Sequence, residues 1–104
     1  MKPHVRNAML LTTKQWHSDP SHSWLKVHFC ELMALGIENK ISRYSYRRQN
    51  WCFLEEDCDA ETYLVAFQSE FGQMPKMTEA PTYDNGHPCR SYPDYHTMPA
   101  EAIQ

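Results

Sequence analysis

Aliphatic side chains are scarce in this chain. Its 104 residues hold seven Leu, three Ile and three Val, and four Phe complete the large apolar set. That share falls below the roughly 20% under which a strongly charged chain stays disordered. The net charge, however, is only −3, and three Trp, six Tyr and six Met supply bulk that the aliphatic count misses. One aromatic side chain buries roughly 150–250 Å². The expectation is one folded domain with a modest, aromatic-rich core, since a chain this short hides only about two-thirds of its unfolded surface.

Long apolar runs are also missing. No stretch approaches the ~18 residues of a membrane span. The patch Ala8-Met9-Leu10-Leu11 is too short for a signal-peptide core, and polar Thr12-Thr13-Lys14-Gln15 follows at once. A cytoplasmic chain is expected, with Cys30, Cys52, Cys58 and Cys89 as reduced thiols. Strong charge of one sign is absent too. A pI near 6.0 argues against bulk attraction to nucleic acid, and −3 is too little for an acidic DNA mimic.

Glycine is rarer still, with three in all, and each falls where an element should end. Gly36 follows Phe29, Leu32, Met33 and Leu35 at helical spacing, which predicts a helix over about 28–35 with a left-handed stop. Gly72 follows Ala60, Tyr63, Leu64, Phe67 and Phe71, the clearest helical period in the chain. Asp57 or Asp59 can cap that helix, and Glu61 suits its first turn. Asn85-Gly86 reads as a tight turn.

Between the helices, 40–46 alternates and 51–54 is a short aromatic run, so a hairpin with the loop 47–50 is expected. Residues 23–27 form a further strand candidate after the Asp19-Pro20 turn. The order β-α-β-β-α predicts a small α+β domain with an antiparallel sheet. The divisions are an N-terminal segment 1–18, a core 19–73 and an extended arm 74–104. The arm carries Pro75, Pro81, Pro88, Pro93 and Pro99 with Tyr83, Tyr92 and Tyr95, and turns are its only expected structure.

Five sets of residues bear on chemistry. Ten His and Cys are enough for zinc, but their groupings (His17 and His22, His28 with Cys30, Cys52 with Cys58, His87 with Cys89) lack the tight paired spacing of a structural site. Buried thiols at Cys30 and Cys52 are the simpler reading. Cys58 lies near a helix start, which favours a thiolate, yet Glu55, Glu56, Asp57 and Asp59 surround it and oppose one. The acidic run from Glu55 to Glu61 caps the second helix or meets a basic partner. It lacks the ligand alternation and central Gly of a calcium loop. Finally, Lys40, Arg43, Arg47 and Arg48 interleave with Tyr44, Tyr46 and Trp51. Such a ribbon suits a DNA groove or stacking on unpaired bases. Period two puts Arg43 and Arg47 on one face and Tyr44, Tyr46 and Arg48 on the other, with the tyrosines inward. Asp19, His22 and their flanking serines are sequence neighbours, and triads assemble from separate elements.

The segments Asp19 to Val27, Leu35 to Tyr46, Leu54 to Asp59 and Arg90 to Tyr92 together resemble small accessory proteins encoded by bacteriophages and other mobile elements. Those relatives carry Gly in the hairpin turn where this chain has Gln49-Asn50. The resemblance implies an accessory gene acting inside an infected bacterium, and brings no catalytic residues with it. The expected function is non-enzymatic binding of a bacterial host protein, as in inhibitors of host defence of the anti-CRISPR or anti-restriction type. No cofactor is expected. Aromatic and Arg side chains are the usual interface anchors, so the expected contacts are Arg43, Arg47, Arg48, Trp51, Glu55, Glu56, Asp57, Tyr92 and Tyr95. The alternatives are a single-stranded nucleic-acid binder using the same hairpin, and a small zinc- or thiol-dependent protein.

Overall fold

A computed structural model of the chain describes residues 8–96. Strands β1 (Lys14–Ser18) and β2 (Ser23–His28) form a hairpin. Asp19 closes it: its Oδ1 accepts from the amides of Ser21 and His22 at 3.0 and 3.1 Å, the local bonding that makes Asp a turn residue. Helix α1 (Phe29–Ala34) follows directly. His28 Nδ1 accepts from the Cys30 amide and Glu31 Oε2 accepts from the His28 amide, so both orphan donors are met. Gly36, at φ 72°, takes the left-handed stop.

Strands β3 (Tyr46–Arg48) and β4 (Trp51–Glu55) then form a second hairpin, and α2 (Asp59–Phe71) ends on Gly72 at φ 73°. Strand β5 (Met77–Glu79) and a 3-10 turn over Pro88–Ser91 complete the described chain. The sheet order is β3-β4-β2-β1-β5.

Alternation gives the sheet two chemically different faces. One carries Leu25, Val27, Cys52 and Leu54, all fully buried. Helix α2 covers it with Ala60, Tyr63 and Phe67, at i, i+3 and i+7. Lys14 and Glu31 are buried within this layer, 2.6 Å apart, and Tyr63 donates to the same Glu31 oxygen at 2.8 Å. The Lys14 ammonium also donates to the Met9 carbonyl and to Thr12 Oγ1. Full pairing is what makes two buried charges tolerable. The opposite face carries Trp24, Lys26, Tyr46, Arg48, Trp51, Phe53 and Glu55. Its middle is closed by Cys89 and Tyr92, which form a smaller core with Trp24, Phe53 and Tyr46.

The α+β class and both helices agree with expectation. The sheet is larger and mixed rather than antiparallel throughout: β5 pairs with β1 in parallel. Strand β1 comes from the expected N-terminal segment, and β5 and the 3-10 turn come from the expected arm. Periodicity misses β1 because its fully buried inward residue is the charged Lys14 and its other, Trp16, is only half-buried, and β5 because all three of its residues are exposed. The remaining residues of those segments, 1–7 and 97–104, lie outside the described residues.

The β3–β4 hairpin also differs from expectation. Arg47 and Arg48 are strand residues, Arg48 faces Trp51 across the ladder, and the turn is only Gln49-Asn50. Residues 41–45 form a loop rather than a strand. Cys58, not Asp57 or Asp59, occupies the cap of α2 without a side-chain bond, while Asp59 and Glu61 sit in its first turn. Of the thiols, Cys52 and Cys89 are buried, Cys30 is half-buried and Cys58 is exposed, all four free. Burial pushes the Cys52 and Cys89 thiols up to about 12.

Two grooves on one sheet face as the candidate functional site

The segment His87–Tyr92 crosses the polar-aromatic face like a strap and leaves a groove at each end. A clasp on the buried Asp19 carboxylate holds the strap. Arg90 Nε and Nη2 donate to Asp19 Oδ2 and Oδ1 at 2.6 and 3.0 Å, and the His87 amide donates to Oδ2 at 2.9 Å. The Arg90 guanidinium holds the Asp19 carboxyl well below the usual carboxylate range, against the opposing effect of burial. Arg90 also lies 5.0 Å above the Trp24 ring, a cation–π contact.

A histidine pair reinforces the clasp. His87 Nδ1 accepts from the Cys89 amide, so a neutral His87 carries its hydrogen on Nε2 and donates to His17 Nδ1, 3.1 Å away. Burial lowers both basicities. His17 is brought down to about 4 by burial first, then by His87 and Lys26. His87 is lowered by burial, with Asp19 working the other way.

The groove at the hairpin tip is basic and aromatic. It measures about 260 Å³ and is lined by Lys26, Arg48, Gln49, Trp51, Phe53 and Tyr92. Lys26 Nζ lies 4.6 Å from the Trp51 ring, and the Arg48 guanidinium lies 5.4 Å from the Tyr92 ring. The groove at the other end is acidic and aromatic. It measures about 390 Å³ and is lined by His22, Trp24, Tyr44, Tyr46, Glu55, Asp57, Cys58 and Arg90.

Asp59 preorganises this second groove. Its buried carboxylate accepts from the Ser42 amide and hydroxyl at 2.9 and 2.6 Å, and from the Ser45 hydroxyl. Ser45 Oγ in turn accepts from the Glu55 amide at 3.0 Å. The loop bearing Tyr44 and the strand end bearing Glu55 are thus tied to one buried group. The Asp57 amide donates to Glu55 Oε2 at 3.0 Å, which orients that carboxylate. The Cys58 thiol is pushed up, by the Asp59 charge foremost and by Glu55 as well. This is the reverse of what a nucleophilic thiolate requires.

The expected contact residues therefore separate. Arg48, Trp51 and Tyr92 meet at the basic groove, and Glu55 and Asp57 at the acidic one. Glu56 is exposed beside the latter, where one of its oxygens accepts from the Ser23 amide at 3.2 Å and lies 4.0 Å from His22 Nδ1. Arg43 is exposed in the loop before β3 and lines neither groove. Arg47 points to the helical face, where its guanidinium stacks 4.0 Å from the Phe29 ring and its Nε donates to the Gln49 carbonyl. Tyr95 belongs to the main core: it is 5% exposed, and its hydroxyl donates to the Glu38 carbonyl at 2.6 Å. Neither Arg47 nor Tyr95 offers a free anchor. The inward tyrosine face holds for Tyr46, which packs on Trp24, but not for Tyr44, which is 75% exposed.

Lys26, Tyr44, Tyr46 and Arg90 were not among the expected contacts. Lys26 shares a strand face with Trp24 and was accessible to a period-two reading of β2. Arg90 carries no local signal, because its partner Asp19 lies 71 positions away. Among the described residues, no group of three or more His, Cys, Asp or Glu side chains is placed to hold a metal ion. No helix of the described residues is long and apolar enough to cross a membrane. Comparison of the chain with protein-family models, with curated proteins and with solved structures returned no match.

Proposed function

We propose that this chain is a non-enzymatic accessory protein of the bacteriophage type. It binds a bacterial host protein and acts by occupying that protein's surface, as inhibitors of host defence systems do. The observation that carries this reading is the two-ended sheet face. Lys26, Arg48 and Trp51 meet Tyr92 at one end of the strap, and Glu55, Asp57, Tyr44 and Tyr46 lie at the other. Aromatic and Arg anchors ringed by charges of both signs suit a folded protein partner, where complementary charge sets register and excludes wrong partners. Two carboxylates on the same face repel a phosphate backbone. The raised Cys58 thiol disfavours a thiol enzyme.

The test is affinity capture from bacterial lysate, comparing the wild-type chain with an Arg48→Glu/Trp51→Ala variant. The expected result is a defined host protein retained by the first and lost by the second. Equal recovery by both, or recovery of nucleic acid alone, overturns the proposal.

A second reading, single-stranded nucleic-acid binding, draws on the basic groove alone, where Trp51 and Tyr92 stand beside Lys26 and Arg48. It requires binding to a fluorescent oligothymidylate that weakens steeply with salt. No anisotropy change at low salt removes it.

A further inference from the structure

We infer that the acidic groove is a receptor for an arginine side chain presented by a protein partner. This deepens the binding-protein reading and rests on it only for the origin of the arginine. The groove combines three features that a guanidinium uses together. Glu55 and Asp57 both line it, and the bond from the Asp57 backbone amide to Glu55 Oε2 orients the Glu55 carboxylate. Tyr44 and Tyr46 supply ring faces, one 75% exposed and one half-buried. Asp59 fixes the intervening loop through Ser42 and Ser45, so the walls are ordered before a ligand arrives.

Charge accounting favours a cation. Among the described residues, Arg90 is the one Lys or Arg side chain lining the groove, and Asp19 already neutralises it through a two-pronged bond. Asp19 therefore offsets Arg90, and among the described residues no second Lys or Arg lines the groove to offset Glu55 and Asp57. Glu56, exposed nearby, adds to the negative rim. A planar guanidinium fits better than an ammonium, because it stacks on tyrosine while its forked donors meet carboxylates. The floor shows the pairing on a small scale: Arg90 stacks on Trp24 while its donors engage a carboxylate. An anion or a phosphate would face two like charges.

The test uses isotope-labelled full-length chain and three blocked pentapeptides, Gly-Gly-X-Gly-Gly with X as Arg, Lys or Glu, followed by NMR. The arginine peptide should give saturable shifts at Trp24, Tyr44 and Tyr46 with a dissociation constant on the order of millimolar, as expected for one side chain in an open site. The lysine peptide should bind several-fold more weakly, and the glutamate peptide should leave the groove unmoved. Glu55→Gln/Asp57→Asn, whose unperturbed spectrum elsewhere checks folding, should weaken the arginine peptide at least about tenfold, since the guanidinium loses both charged acceptors. Arginine-peptide shifts mapping elsewhere, equal binding of lysine or glutamate peptides, or an unchanged constant in the variant would each overturn the proposal. A host protein captured through Arg48 and Trp51 while the peptide fails would leave the binding reading standing and remove this one. Peptide binding without any captured host protein would do the reverse.

Discussion

Asp59 is the side chain on which the acidic groove most depends. In the sequence it reads as part of a charged run before a helix, with capping as its simplest role. In the fold it is fully buried and holds the loop before β3 by three bonds, two of them from serine hydroxyls. Removing it leaves those donors without their acceptor in a closed space, which costs more than the bonds contribute when made. Asp59→Ala should destabilise the domain by about 3 kcal/mol, within the range for a buried hydrogen-bonded charge, and lower Tm by roughly 10–20 °C in a domain this small. Thermal denaturation followed by circular dichroism checks this. A loss below about 1 kcal/mol would mean that the loop is held by other contacts. Nothing in the local sequence separates Asp59 from Asp57. Their roles differ because the first residue of α2 turns inward and Asp57, two positions earlier, does not.

Helices α1 and α2 were legible because their signals are local. Apolar residues recur at 3.6-residue spacing, and Gly36 and Gly72 take left-handed stops that other residues adopt at a cost. The hairpins were less legible. A strand of three residues, such as β3, is too short to show alternation, and the neighbouring 41–45 alternates without being a strand. The turn is where the local chemistry is strained: Gln49 sits at φ 55°, a region a side chain occupies reluctantly. Gln49→Gly relieves that strain while increasing the freedom of the unfolded chain. The net expectation is a gain of about 0.5–1 kcal/mol, read as a rise in the midpoint of urea unfolding. A fall in the midpoint would show that the side chain itself stabilises the turn.

The strap clasp ties the β1–β2 turn to a segment 71 positions away, and two histidines whose basicity the fold lowers reinforce it. His17 and His87 are both less basic in the fold than in the unfolded chain. Groups with lowered basicity contribute stability that is full above the unfolded value near 6.5 and is lost as pH falls towards the folded value, about 4 for His17. The unfolded chain binds the extra protons throughout that window. Protonation also removes the His87 Nδ1 acceptor from the Cys89 amide and sets two cations 3.1 Å apart, with Lys26 adding a third charge. Tm should therefore fall between pH 6.5 and about 4, and His17→Gln should flatten that fall. Asp19, held far below the usual carboxylate range, stays charged throughout, so the Arg90 contact persists. A Tm profile in His17→Gln that parallels the wild type would exclude the histidine pair as the cause.

Composition already required a small, aromatic-rich domain, and periodicity already placed two helices, their glycine stops, strand β2 and the hairpin segment. These follow from contacts between near neighbours in the chain, which a window of a dozen residues contains. The same reading singled out Arg48, Trp51, Glu55, Asp57 and Tyr92 as contact chemistry without saying that they share one face. The tertiary structure alone joined β1 and β5 to the sheet, buried Tyr95, turned Arg47 inward onto Phe29, and paired Asp19 with Arg90 across most of the chain's length. Those outcomes depend on which strand edges meet and which side chains find a partner once water is excluded. Such long-range choices leave no periodic trace, and they divide the sheet face into a basic end and an acidic one.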